Sequence, residues 1–184
     1  MQNYQRSSCF LLILFVAIAF AGCAKPTPER EIKKYEARLR DAEMVKKDWV
    51  GFTPYIDEEI SSKQQEFEAA KNSNDLEALQ AINQNSMPLV RKLVEAHYKF
   101  KAAEDDIAKL RKLKLSKPEH EKRKKKARQL EEDLVEIDHA LMNAQPADAT
   151  EAMKIAQDEI GALISLGGSC RSAYRKYSKS KKKK

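Results

Sequence analysis

Apolar residues recur at helical spacing through most of this chain. From Leu89 the positions Leu93, Ala96, Phe100, Ala103, Ile107 and Leu110 follow in steps that alternate between four and three. That rhythm belongs to helices packed as left-handed bundles and coiled coils. Upstream, Ile32, Tyr35, Leu39, Ala42 and Trp49 mark a first helix. Ile56, Ile60 and Phe67 mark a second that ends near Lys71. Downstream come Leu130, Leu134, Ile137 and Leu141, then Ala149, Met153, Ala156, Ile160 and Leu163. No window alternates apolar and polar residues between turn signals, as a half-buried strand would.

The helix breakers sit at the corners between these stripes. Thr27-Pro28-Glu29 reads as a helix start, with Thr as cap, Pro at the first helical position and an acid in the first turn. Gly51-Phe52-Thr53-Pro54 interrupts the helix and restarts it with the same cap chemistry. Asn72-Ser73-Asn74-Asp75 is a turn that carries its own cap, and a long helix follows it toward Leu115, bent around Ser86-Met87-Pro88. Ser116-Lys117-Pro118 and residues 143–148, with Pro146, make the next corners. The last helix should weaken at Gly167-Gly168, with Tyr174 and Tyr177 still available to pack. Corners this short make neighbouring helices antiparallel. The expected fold is all-α, an elongated antiparallel four- or five-helix bundle with coiled-coil-like heptad seams. A shift of 74 residues also pairs Ile56 with Leu130, Ile60 with Leu134 and Phe67 with Leu141. Two related helical hairpins explain this echo, and a shared heptad period explains it equally well.

Composition agrees. Glycine and proline are scarce, at five and six, while 34% of residues are charged and 42% apolar. This favours long helices and a polar body of one domain.

The first residues differ from the rest. Met1 to Ser8 are polar with Arg6 as the charge, and residues 9–21 are thirteen consecutive apolar positions. A spanning helix needs about 20, and Pro26 and Pro28 stop this run from growing. The pattern is that of a secretory signal peptide. It closes on Phe20-Ala21-Gly22-Cys23, which resembles the lipobox of bacterial lipoproteins, with Phe20 where that family most often has Leu. The resemblance implies cleavage between Gly22 and Cys23, diacylglycerol on the Cys23 thiol and an acyl chain on the new amino group. It implies a palmitate-type anchor in the lipid bilayer and no other cofactor. Ala24 in place of Asp implies sorting to the outer membrane, with the periplasmic or surface side left open. The chain then divides into a removed signal peptide (1–22), a lipid-anchored tether (23–27), a helical bundle (28–174) and a flexible Lys-rich tail (175–184).

Residues for catalysis are not evident. His97, His120 and His139 are scattered, with no second ligand at metal spacing. Asp105-Asp106 and Glu131-Glu132-Asp133 read as solvated helix faces. Cys9 leaves with the signal peptide and Cys23 takes lipid, so Cys170 is left alone, as an inert thiol or an intermolecular bridge. The reading is a protein with no catalytic and no metal site, not an enzyme.

Charge is the remaining signal. Residues 109–128 hold eleven basic and two acidic side chains, whereas residues 129–170 hold nine acidic and one basic. Arg111, Lys112, Lys122, Arg123, Lys124, Lys125 and Lys126 are candidates to contact lipopolysaccharide, anionic phospholipid or another acidic envelope polymer. The competing reading pairs them with the acidic helix after them. No nucleic acid is expected, because export removes the chain from it and no aromatics interleave the charges. The tail adds Lys181, Lys182 and Lys183 as contacts for an anionic surface. Tyr174-Arg175-Lys176 and a terminal Lys184 resemble, in layout, the murein lipoprotein family. That resemblance implies covalent linkage of Lys184 to peptidoglycan. The expected role is an envelope lipoprotein that links membrane to an anionic component or the cell wall. The alternatives are a helical module that holds another envelope protein, as assembly factor or inhibitor, and a coiled-coil homo-oligomer.

Overall fold

A computed structural model of the chain describes residues 25–181. The expected signal peptide, Gly22, Cys23, Lys182, Lys183 and Lys184 lie outside the described residues. Six α-helices pack together: α1 (Pro28–Asp48), α2 (Thr53–Ser73), α3 (Leu76–Asn85), α4 (Pro88–Lys112), α5 (Lys117–Met142) and α6 (Ala149–Lys181). A single 3-10 turn, Val50–Phe52, joins α1 to α2. The described residues contain no strand, and the fold is an all-α bundle.

Two regions divide the work. The long helices α4, α5 and α6 pack mutually, most extensively α4 against α6. Because the corners at 113–116 and 143–148 each reverse the chain, α4 and α6 run the same way, with α5 opposed. At 33 residues α6 is about 50 Å long. The seam of α4 is buried at every position anticipated except half-buried Phe100, and Leu130, Leu134, Ile137 and Leu141 of α5 are buried with it. The shorter helices α1 and α2 pack on α4, and α3 packs on α1 and α2. Here Asp48 of α1 reaches His97 of α4 at 2.9 Å, and Tyr35 stacks on Phe67 with ring centres 3.9 Å apart.

Several expectations need correction. The bend at Ser86-Met87-Pro88 is a break, which raises the helix number to six. Pro88 begins α4, and Met87 is buried in the left-handed region at φ 53°, since a residue before proline avoids the helical region. No side chain of its own segment caps α4. Instead Glu59 of α2 accepts from the amides of Leu89 at 2.9 Å and Val90 at 3.2 Å. A carboxylate at a helix N-terminus meets unpaired amides and the positive end of the dipole. Burial nonetheless holds the Glu59 carboxyl above its usual range, against those two amides and Arg91.

Thr53 does not cap α2; it is already helical, after Phe52. Thr27 and Asp75 do cap, accepting from the amides of Arg30 and Ala78. In α6, Ala149 is exposed and Ala152 takes the buried position. Gly167-Gly168 lies inside continuous helix, held by the buried neighbours Leu166 and Cys170; packing outweighs the glycine propensity penalty. The bundle also extends past residue 174. Leu166, Cys170, Ala173 and Tyr177 are all buried and continue the four-three spacing, so the helix persists to Lys181 rather than giving way to a flexible tail at 175.

Gly51 explains how the regions lock. A Cβ there would stand 1.8 Å from the Ala144 carbonyl oxygen, so the α1–α2 turn touches the α5–α6 corner backbone to backbone. Beside it the Tyr55 hydroxyl donates to the Pro146 carbonyl.

Candidate anion-contacting pole

The chain topology collects the basic residues at one end. The C-termini of α4 and α6 and the N-terminus of α5 share that end, so residues 109–128 meet the last turns of α6. Lys126 of α5 and Lys176 of α6 line one hollow, together with Ser169, Ser172, Ala173 and Tyr177. Lys112, Lys122, Lys124 and Lys125 are exposed and Lys126 is half-buried. Among the described residues no carboxylate lies within ion-pair distance of these five, although acidic residues dominate the next turns of α5. Arg111 is the exception, because it donates to Glu131 one helix across. The competing reading, neutralisation by the acidic helix, therefore holds for Arg111 and not for the lysines.

Arg123 is corrected as a surface contact. It is 4% exposed and faces inward. Its Nη1 donates to the carbonyls of Leu110, at 3.0 Å, and Arg111. Those are among the last carbonyls of α4, which lack helical partners and form the negative end of the dipole. Its Nη2 lies 3.1 Å from His120 Nδ1. A guanidinium only donates, so Nδ1 accepts and the His120 proton sits on Nε2. The signal was in the spacing: stepping back from Leu130 by three and four lands on Ala127 and Arg123, so this arginine occupies an apolar seam position. Lys181 is the final described helical residue.

The opposite end is polar in another manner. Glu31, near the start of α1, is buried. Its backbone and side-chain oxygens accept from Asn83 Nδ2 of α3 at 2.8 and 2.9 Å, and Lys34 holds the second carboxylate oxygen at 2.6 Å. Arg38 donates to the Asn83 carbonyl. Burial alone would raise the Glu31 carboxyl, but the bonds from Lys34 and Asn83 and the charges of Lys34 and Arg30 outweigh it, and the group sits below its usual range. Sequence spacing gave no hint of this knot, since Glu31 and Asn83 are 52 positions apart. Asn83 lies just before α4, so the first described residues and the basic pole stand at opposite ends of that helix. Its 25 residues extend about 37 Å.

What the pole offers is fixed positive charge. Cys170, the cysteine among the described residues, is fully buried, and burial raises its pKa, which suppresses the reactive thiolate. No cluster of three His, Cys, Asp or Glu that could hold a metal occurs among the described residues. No described helix is long and apolar enough to cross a membrane. Fold and pole together define a helical bundle with one cationic end. No protein-family model, curated protein or solved structure matches the chain.

Proposed function

We propose that this chain is an envelope lipoprotein that links a membrane, through lipid on Cys23, to an anionic component of the envelope. The observation that carries the reading is the separation of its two ends. The start of α1, five residues past Cys23, lies at one end of α4, and the unpaired lysines of α5 lie at the other. An anchored chain would hold Lys112, Lys122, Lys124 and Lys125 tens of ångströms from its lipid. Near an anionic surface each such charge contributes about 1 kcal/mol. Two or three acyl chains make anchoring stable, where one would be marginal. The role is structural, with no chemistry assigned to the pole beyond charge, and the partner is lipopolysaccharide, anionic lipid or peptidoglycan.

Intact and peptide masses of the protein from its native membranes test both ends. The reading expects a lipid-modified peptide that begins at Cys23. A muropeptide on Lys184 would make the link covalent, and an unmodified Lys184 would leave it electrostatic. An unlipidated chain that still begins at Met1 would defeat the reading. Removal of residues 179–184 separates the alternatives: weakened co-fractionation with the envelope fits the bridge, and unchanged behaviour points to a protein partner on the bundle.

A further inference from the structure

The structure assigns to the α4–α5 corner a binding pocket for a phosphate monoester, built from Arg111, His120, Arg123, Lys124 and Arg128. This deepens the reading of the basic pole and rests on it, but it needs no lipid on Cys23.

Four observations converge. First, these five side chains and Ala127 line a hollow of about 280 Å³. That is just below the roughly 300–1,000 Å³ of small-molecule sites, so it suits a compact group rather than an extended polymer. Second, no carboxylate is among that lining. Glu131 is engaged by Arg111, which retains further N–H donors on its five-donor fork. Third, Arg123 is more than nine-tenths buried, and its Nε has no acceptor among the described residues. A buried guanidinium N–H without an acceptor is costly, and such groups call for a partner. Its other nitrogens are fixed on the α4 carbonyls and on His120, so the fork is held in place before any ligand arrives. Fourth, Lys124 and Arg128 are exposed, one turn apart on α5, with no described ion-pair partner. A pre-set arginine with mobile Lys and Arg at the rim is a fit for a tetrahedral dianion, which takes forked guanidinium bonds and a point charge. The His120 Nε2–H supplies a further donor at the same wall. A lipid headgroup and a soluble phosphate ester present this same group, and the chemistry recognised is shared.

The test uses the full chain in nonionic micelles, titrated calorimetrically with inorganic phosphate at constant ionic strength. Saturable binding at one site is expected. K124Q/R128Q, which removes two exposed charges from the hollow, should weaken it at least tenfold. K122Q/K125Q removes the same charge from the exposed turns beside it and should change it less than twofold. Equal weakening in both variants, or no saturable binding in the wild type, would overturn the pocket. Vesicles then identify the source. Binding to phosphatidic acid vesicles that inorganic phosphate displaces assigns the site to a lipid headgroup. Binding of inorganic phosphate without vesicle binding assigns it to soluble esters. Each of these two results upholds the pocket. Failure of phosphate binding in a protein that is lipidated at Cys23 and still fractionates with the envelope would remove the pocket alone. Success in an unlipidated chain would remove the anchor alone.

Discussion

The three short helices and the three long ones solve the same packing problem by different means. In α4, α5 and α6 the seam is a near-continuous ladder of Leu, Ile and Ala, and the helices need few corner contacts to stay in register. In α1, α2 and α3 the ladder is interrupted, and polar groups carry part of the specificity. There Glu31, Asn83 and Arg38 interlock, and Glu59 caps α4 from another helix. The 74-residue echo makes the difference concrete. It sets Ser86-Met87-Pro88, where the chain breaks into α3 and α4, against Ile160-Gly161-Ala162, where α6 runs on unbroken. Proline removes an amide and disfavours helix at the residue before it; Gly161 costs only propensity, and buried Ile160 and Leu163 outweigh that.

If the long helices are held by apolar packing, truncation there should do the greatest damage. Leu130→Ala removes a side chain with no exposed surface and should cost about 3 kcal/mol, read as a lower urea midpoint. Gly51→Ala tests the contact that joins the regions. Its added methyl meets the Ala144 carbonyl, and overpacking of this kind costs about 1–3 kcal/mol, visible as a lower melting temperature.

Asn83→Ala tests the polar knot and should cost about 2 kcal/mol, because Glu31 stays buried with one partner fewer. The pH dependence sharpens the comparison, since buried Glu31 and half-buried Glu59 act with opposite sign. Glu31 is held below its ordinary value of 4.5, so the unfolded chain binds more protons in that window. Its contribution is complete above 4.5 and is lost as pH falls through the folded value. Asn83→Ala should therefore flatten the acid limb of stability. Glu59 is held above 4.5 by burial, so the folded chain keeps the proton longer, and its contribution is lost as pH rises through the folded value. Glu59→Gln retains an oxygen for one of the amides of Leu89 and Val90 and should remove that decline. Denaturant titrations between pH 3 and 7 would show both. The smallest effect should come from Lys46→Ala. It loses the ion pairs with Glu43 and Asp57 and should cost only about 0.5 kcal/mol.

Much of the fold was legible because buried side chains repeat at fixed intervals. Leu89 to Leu110 and Leu130 to Leu141 were readable for that reason, and so were the caps at Thr27 and Asp75. Composition misled where it was weighed above spacing. The lysines after Tyr174 suggested a loose tail, yet Cys170, Ala173 and Tyr177 keep the seam rhythm and hold the last turns in place. Arg123 was misplaced likewise, because its charge concealed a seam position. Contacts such as Glu59 with Leu89, or Gly51 with Ala144, depend on how helices meet and leave no local trace. The segregation of charge was plain in the sequence. Its gathering at one pole was not, because that follows from α4 and α6 running parallel.

We propose that the two ends of one molecule serve two surfaces. Vesicle bridging measures this directly: the lipidated chain is set in neutral phosphatidylcholine vesicles, and phosphatidylglycerol vesicles are added while light scattering is followed. The account predicts clustering that fades as salt rises, that needs lipid on Cys23, and that is lost when Lys122, Lys124, Lys125 and Lys126 are all changed to Gln. Clustering unchanged by that substitution, or none with the lipidated wild type at low salt, would contradict it.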